Sequence, residues 1–452
     1  MTILIFSSDN KSELTLSLES IRHFNNFSDI NVVVIDNGSK EPSYKENEIP
    51  SDVSYIYMDE GEEPLGKVIN LVVKTLHITD DILIMSSPYC VVFNTLDFLY
   101  NALSSDSKCA VAGGMAPSFG SYQRLFHKFN SYSELLEYSP FEESSDTTST
   151  SISISTDSAV ILVSIEAYNI LNGFGESLST PETLFKDFCL RAFLKGRHST
   201  IARKSLFWSP NQENYCYASN PNLVALDKAR LESVWGTHYF NICANLNLVN
   251  SIDQNTYDKF CVLEIGCNLG ATLLEIKNKY PHCEIFGTDI SEPAIRIAKQ
   301  FSNAVVNNIE NHAIPFDKKF DYILLGDVLE HLRDPESALA YCKSLLSENG
   351  MIIANIPNLM HISVIEQLLN GDFTYSETGL LDKTHIHFFT YNEIIRMFER
   401  VEMHIDSIST YTPIRQNDNQ SALIDSLLSL GNGGERFMYE TFQYLVVASN
   451  IK

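Results

Sequence analysis

The sequence predicts an α/β protein built from two doubly wound domains, and three observations carry that prediction. At 452 residues the chain can fold about two or three domains, each with its own core. Short apolar runs alternate with stretches of helical periodicity twice, from Ile3 to Met85 and again from Cys261 to Asn355. A glycine turn, Gly266-Cys267-Asn268-Leu269-Gly270, joins one of these runs to the helix after it.

In the first half, Ile3 to Ser7 reads as a strand, Glu13 to Phe24 as a helix and Ile30 to Ile35 as a second strand. That strand ends in Asp36-Asn37-Gly38-Ser39, and helix Lys67 to Leu76 and strand Ile82 to Met85 follow. Doubly wound folds take ligands at the carboxyl ends of their strands, where Asp36 lies. Asp-Asn-Gly is also an ordinary turn, and both readings stand. The acidic run Asp59 to Glu63 reads as solvated loop, and the Ser/Thr-rich stretch Phe141 to Ser158 as a mobile surface loop. The junction between domains is expected between Trp208 and Asn250, giving domains 1–237 and 238–452.

In the second half, Val262, Leu263 and Ile265 form a buried parallel strand, and Ala271 to Lys277 a helix. Strand Glu284 to Gly287 leads to Asp289, 23 residues beyond Gly266 (289 − 266). Glycines let backbone approach a ligand, and a carboxylate at the next strand tip can accept hydrogen bonds from ribose hydroxyls, so the pair suits a nucleotide site. Strand Tyr322 to Leu325, a polar segment from Gly326 to Pro335, a helix, the turn Glu348-Asn349-Gly350 and strand Met351 to Asn355 follow, and FQYLVVASN supplies the last strand.

From about Tyr239 onward the sequence resembles the class I S-adenosylmethionine-dependent methyltransferases, with a Rossmann-like sheet. Glu264 matches the acidic residue of their first motif and Gly266 and Gly270 its outer glycines, while Asn268 replaces the central one. Asparagine tolerates left-handed backbone better than other non-glycine residues, so the turn can survive. The resemblance implies S-adenosylmethionine as cofactor, cradled by Glu264, Gly266, Cys267, Asn268 and Gly270. It implies Asp289 on the ribose, Ile290 against the adenine and Asn308 near the adenine amino group. For Asn308 a turn role is an equal alternative.

LGDVLEHLRDP matches the segment that lines the cofactor and acceptor cleft, which implicates Asp327, Glu330 and His331. The run DKTHIHFFT is similar to the carbohydrate-linked and small-molecule branch of these enzymes and would cover the acceptor. There His385 is the leading general base, with Asp382, Thr384 and His331 beside it and His361 and His387 behind. The competing role is structural, since Thr390 to Glu393 reads as a capping box.

Residues 1 to 237 resemble inverting glycosyltransferases of family 2, GT-A type, through VVVIDNGSKE, SAVILVSIEAYNILNGFGE, DFCLRAFLKGR and the helical stretch Ala225 to Trp235. That implies a nucleotide-sugar contact at Asp36. Two departures matter. Ser86-Ser87-Pro88-Tyr89-Cys90 stands where the family carries metal-binding aspartates, and none of the five is a hard anionic ligand. Leu184 and Phe185 stand in place of the Glu-Asp pair holding the general base, with only Glu182 and Asp187 flanking the gap. The expected first domain has therefore lost metal-dependent transfer and binds an acceptor or partner.

Composition sets the outer limits. With 32 Lys and Arg against 57 Asp and Glu the net charge is −25, which argues against gripping nucleic acid or anionic lipid. The nine cysteines show no Cys-x-x-Cys pair and no zinc-like Cys/His spacing, so no metal is expected, and thiols in a reducing cytoplasm are. No basic leader opens the chain and no run approaches the ~18 apolar residues of a membrane span. The expected function is O-methylation of a sugar, nucleotide sugar or glycan of a surface polysaccharide or glycoconjugate, by a chain that can also form a homo-oligomer. The rivals are a bifunctional glycosyltransferase and methyltransferase, and a scaffold that only binds.

Overall fold

A computed structural model describes the chain except residues 8–9, 25–29, 59–62, 118, 120–122, 124–128, 130, 138–149, 157–158, 211–220, 237–241, 414–415, 432–433 and 452. It divides into two compact units, Met1–Cys243 and Ala244–Lys452. No helix among the described residues is long and apolar enough to cross a membrane.

Among the described residues the first unit contains nine strands: β1 (Thr2–Ser7), β2 (Asn31–Asn37), β3 (Val53–Met58), β4 (Ile82–Ser86), β5 (Cys90–Val91), β6 (Cys109–Met115), β7 (Thr150–Ser153), β8 (Val160–Val163) and β9 (His198–Trp208). Their order is β3-β2-β1-β4-β8-β6-β9-β5, with β7 also on β9. The four strands at the β3 end run parallel, and β8 pairs antiparallel with both β4 and β6. Alternation along β1 explains the two-sided winding. Ile3 and Ile5 pack with Leu14, Leu18 and Ile21 of helix Lys11–Phe24, while Leu4 and Phe6 pack with Val68, Ile69 and Val72 of helix Leu65–Thr75.

Several expectations for this unit are corrected. Residues 150–153, read as part of a mobile loop, form a strand in register with β9, with Ser151 and Ser153 buried; residues 141–149 lie outside the described residues. Of the acidic run, residues 59–62 are likewise outside, and Glu63 pairs with Lys67 at 2.9 Å. Asp36 is fully buried, and its carboxylate accepts the Ser39 hydroxyl, the Ser43 N–H at 2.8 Å and the Tyr55 hydroxyl. Its role is to fasten the turn, because every one of these donors is internal. Asp187 is tied in the same way by Arg191 at 2.7 Å and the Trp235 indole N–H at 3.1 Å. Leu184 and Phe185 point into the core, so helix Pro181–Leu194 carries no free base.

Among the described residues the second unit has seven strands: β10 (Cys261–Ile265), β11 (Glu284–Asp289), β12 (Asn303–Val306), β13 (Phe320–Gly326), β14 (Leu346–Pro357), β15 (Met403–Tyr411) and β16 (Gln443–Asn450). The order is β12-β11-β10-β13-β14-β16-β15. The first five in that order are parallel and β16 is antiparallel to both neighbours. Val262 faces helix Ala271–Lys279 through Leu273 and Ile276, and Leu263 and Ile265 face helix Pro335–Leu345 through Ala338, Leu339 and Cys342. Sequence order reverses between β10 and β13, so the connections leave their carboxyl ends in opposite directions and open a crevice there.

Two local expectations fail here. Residues 348–350 form no turn before a separate strand: β14 begins at Leu346, and the register jumps from Phe320↔Leu346 to Tyr322↔Met351, a bulge inside one strand. Thr390 does open helix Tyr391–Arg400, but without a side-chain cap, because Glu393 is drawn to Arg396 and Arg400 instead.

Removing the Asp36 carboxylate takes the acceptor from three donors, Ser39, Ser43 and Tyr55, so Asp36→Ala should destabilise the first unit by about 2–3 kcal/mol, read as a shift in its urea-unfolding midpoint. A nucleotide-sugar titration that depended on Asp36, with stability unchanged, would reverse the structural assignment.

Candidate active site

The crevice is built from two segments pressed together at the ends of adjacent strands. After β10 the chain turns through Gly266 (φ +71°), Asn268 (φ +48°) and Gly270 (φ +82°), all left-handed. A Cβ on Gly266 would lie 2.8 Å from Val328 Cγ2, in the segment that follows β13, so this position needs glycine for space as well as for geometry. Gly270 opens helix Ala271–Lys279, and a Cβ there would meet Phe301 at 2.9 Å.

Asp289 ends β11 half-buried. Its Oδ2 accepts the Asn268 N–H and its Oδ1 the Ser291 N–H, both at 2.8 Å, so the carboxylate is clamped against the turn as the sequence spacing requires. Ile290 beside it is 75% exposed. The bond to Asp289 comes from the backbone N–H of residue 268, so the replacement of glycine by asparagine leaves that clamp intact. The Cys267 side chain is buried in the core. Its sulfur lies behind Gly287, where a Cβ would meet it at 2.7 Å, its N–H donates to the Thr288 carbonyl, and its own carbonyl accepts the Gly270 N–H. Asn308 takes the turn role, its side chain accepting the Glu310 N–H at 3.0 Å.

Glu264 lies inside β10, 5% exposed, with Oε2 lacking any hydrogen-bond partner. Burial pushes its carboxyl up to about 8, the Thr272 hydroxyl offsets part of this, and the nearby Asp289 charge adds to it. At the tip of β13, Asp327 adopts φ +55° and accepts the side-chain amide of Gln443, the first residue of β16. The separation of 116 residues hides that partner from any local reading of the sequence.

A second cluster lies beyond Asp327. Glu330 is fully buried and neither carboxylate oxygen has a hydrogen-bond partner; burial, then the Asp327 and Asp382 charges, hold its carboxyl well above the usual range. Its carbonyl accepts the Ile386 and His387 N–H groups at 2.8 and 3.0 Å, tying the two segments together. The rings of His331 and His385 meet edge to face at 4.8 Å. Burial, then His331, lowers the His385 imidazole below its ordinary value. Asp382 is buried and accepts the Thr384 N–H at 2.8 Å and its hydroxyl at 2.6 Å, so it shapes the loop that carries His385.

The reserve histidines stand elsewhere. His361 caps helix Ile362–Leu369. His387 faces a cavity of about 350 Å³ with Arg333, Glu336, Phe389 and Arg400.

A family model described as a methyltransferase domain matches residues 263–352. The chain carries an S-adenosylmethionine-dependent methyltransferase domain, matched within the second unit. The chain is 23% identical over 178 residues to the ubiquinone biosynthesis O-methyltransferase of Shewanella halifaxensis, covering 37% of this chain and 74% of that protein. It is 30% identical over 108 residues to the protein of the same name from Glaesserella parasuis, covering 22% and 45%, so it spans under half of that relative. It is 29% identical over 123 residues to carboxy-S-adenosyl-L-methionine synthase 1 of Yersinia pseudotuberculosis, covering 23% and 50%. A solved methyltransferase from Archaeoglobus fulgidus is similar at 20% identity and a TM-score of 0.31, over 50% of this chain and 93% of that one.

The residues of the methyltransferase domain fit its cofactor. S-Adenosylmethionine carries a sulfonium, an ammonium and two ribose hydroxyls, and the crevice offers the unpartnered Oε2 of Glu264, the clamped carboxylate of Asp289 and an exposed apolar side chain at Ile290.

Two outcomes follow. Gly266→Ala should weaken cofactor binding about tenfold or more in calorimetric titration, because Val328 must move. For Glu264, a carboxyl with pKa about 8 in the fold and 4.5 unfolded contributes stability that is complete below pH 4.5 and lost as pH rises to 8. Across that window the unfolding midpoint of cofactor-free protein should fall less in Glu264→Gln than in the parent.

Proposed function

We propose that the chain O-methylates a hydroxyl on a sugar, nucleotide sugar or glycan of a surface polysaccharide or glycoconjugate. The observation that carries this reading is the Glu330, His331 and His385 cluster, which concentrates basic atoms next to the cofactor crevice. An alcohol is a poor nucleophile until its proton is taken, so an O-methyltransferase needs such a centre. The cofactor supplies an electrophilic methyl group. Asp289 would hold its ribose, Ile290 its adenine and Glu264 its cationic end. The lowered imidazole of His385 keeps a lone pair free at neutral pH, able to accept a proton or a metal ion.

The sugar rests on the first unit, whose segments resemble family 2 glycosyltransferases and whose strand order winds a parallel β3-β2-β1-β4 core. With Asp36 and Asp187 spent on internal bonds, that unit is read as an acceptor-binding domain without transfer chemistry of its own. A phenolic acceptor is the second reading. It is favoured by the names of the ubiquinone-pathway relatives and by a chain of ring contacts, Phe373 to Phe388 at 5.8 Å and Phe388 to His385 at 6.1 Å, leading to the cluster.

Calorimetric titration with S-adenosylmethionine should show one site that Asp289→Ala weakens strongly; no binding, or binding indifferent to that change, overturns the reading. Methyl transfer from labelled cofactor to a panel of glycans, nucleotide sugars and catechols then separates the two acceptor classes. His385→Ala should lower kcat about 100-fold with the cofactor KM little changed. In the parent the acidic limb of kcat/KM should fall below pH 6.5, the direction in which His385 is shifted.

A further inference from the structure

Glu330, His331 and His385 each offer one ligand atom, and the three atoms lie within 4.8 Å of one another. The Glu330 side chain is completely buried, and neither of its oxygens receives a hydrogen bond. His385 Nε2 comes within 4.0 Å of Glu330 Oε1, beyond hydrogen-bond reach. An ionised carboxylate removed from water and left without donors costs several kcal/mol, which a proton or a cation must offset.

The other nitrogen of each ring is already engaged. His331 Nδ1 lies 3.2 Å from the Thr384 carbonyl and His385 Nδ1 3.3 Å from the Leu380 carbonyl. Carbonyl oxygens only accept, so each Nδ1 carries the hydrogen and each Nε2 keeps its lone pair. This is how metal-binding imidazoles are oriented, with the remote nitrogen donating to a backbone oxygen. The ligands come from two segments 55 residues apart at their ends (385 − 330), held together by the Glu330 carbonyl and, on the loop side, by the Asp382 to Thr384 bonds.

We propose that Glu330, His331 and His385 form a binding site for one divalent first-row transition-metal ion. Two imidazoles and one carboxylate suit zinc, manganese, iron(II) or cobalt, whereas magnesium and calcium favour all-oxygen sets. Three protein ligands leave coordination positions open, as in catalytic rather than structural sites. Resting on the O-methyl transfer reading above, the ion would acidify an acceptor hydroxyl in an open position: the hydroxyl proton would pass to bulk water, the oxygen would bond to the cofactor's methyl carbon as the methyl–sulfur bond breaks, and the neutral thioether would leave. Nothing is oxidised or reduced. With the ion bound, both Nε2 lone pairs are engaged and the ion is the agent of deprotonation; in the metal-free chain His385 keeps that role. The sequence gives no sign of the site: the ligands follow no zinc-like spacing and lie on different segments.

The test uses the full chain after chelator treatment. Titration with Zn²⁺ should show one equivalent bound, and Co²⁺ should give visible absorption bands characteristic of nitrogen and oxygen ligands. Glu330→Gln, His331→Ala and His385→Ala should each weaken binding by about 100-fold, while His387→Ala leaves it unchanged. Should Glu330→Gln fail to fold, the two histidine variants decide the matter through the cobalt spectrum. Absence of stoichiometric binding by the parent, or binding equally tight in the His331→Ala/His385→Ala double variant, overturns the site. Asp289→Ala should lose the cofactor and keep the metal, so metal bound without methyl transfer counts against the proposed function alone.

Discussion

The approach of Gly266 to Val328 is the contact on which the rest of the second unit's chemistry depends. It exists because β10 and β13 are neighbours although β11 and β12 intervene in sequence, so the two loops leaving their carboxyl ends converge. One loop brings the backbone turn and, through the Asn268 N–H, the Asp289 carboxylate. The other brings Asp327, Glu330 and His331. A side chain at position 266 would push these halves apart, and the crevice would lose both at once.

Electrostatically the site gathers four carboxyl groups, and burial raises the two deepest, Glu264 and Glu330, so that in the empty site both favour the neutral, protonated form. Glu264 and Glu330 are buried carboxylates with unpartnered oxygens, and Asp289 and Asp327 lie beside them. A fold does not keep such groups for stability, since burying a charge without a partner is unfavourable. Their unpartnered oxygens suit positive charge supplied from outside, which is the basis for proposing the sulfonium cofactor at Glu264 and a metal ion at Glu330.

The first unit shows the opposite arrangement. Asp36 and Asp187 occupy positions where a ligand-binding carboxylate is expected, yet each is saturated by neighbours: Ser39, Ser43 and Tyr55 around one, Arg191 and Trp235 around the other. A carboxylate with its lone pairs committed to internal donors holds its own turn or helix in place and has little left for a substrate. The α/β winding is there, and both carboxylates are spent on holding it together.

How far the sequence alone reached follows from the range of the interactions involved. Periodicity and glycine spacing determined the two α/β units, the strand and helix succession and the pairing of Gly266 with Asp289, because these depend on residues within about one βαβ unit of each other. The tertiary structure alone decided which carboxylates were free. Asp36 was taken by Tyr55, Asp327 by Gln443 and Cys267 by the space behind Gly287, while Glu330 was left bare between two histidines. Burial and hydrogen-bond partnership are set by segments distant in the chain, and no local pattern of residue types records them.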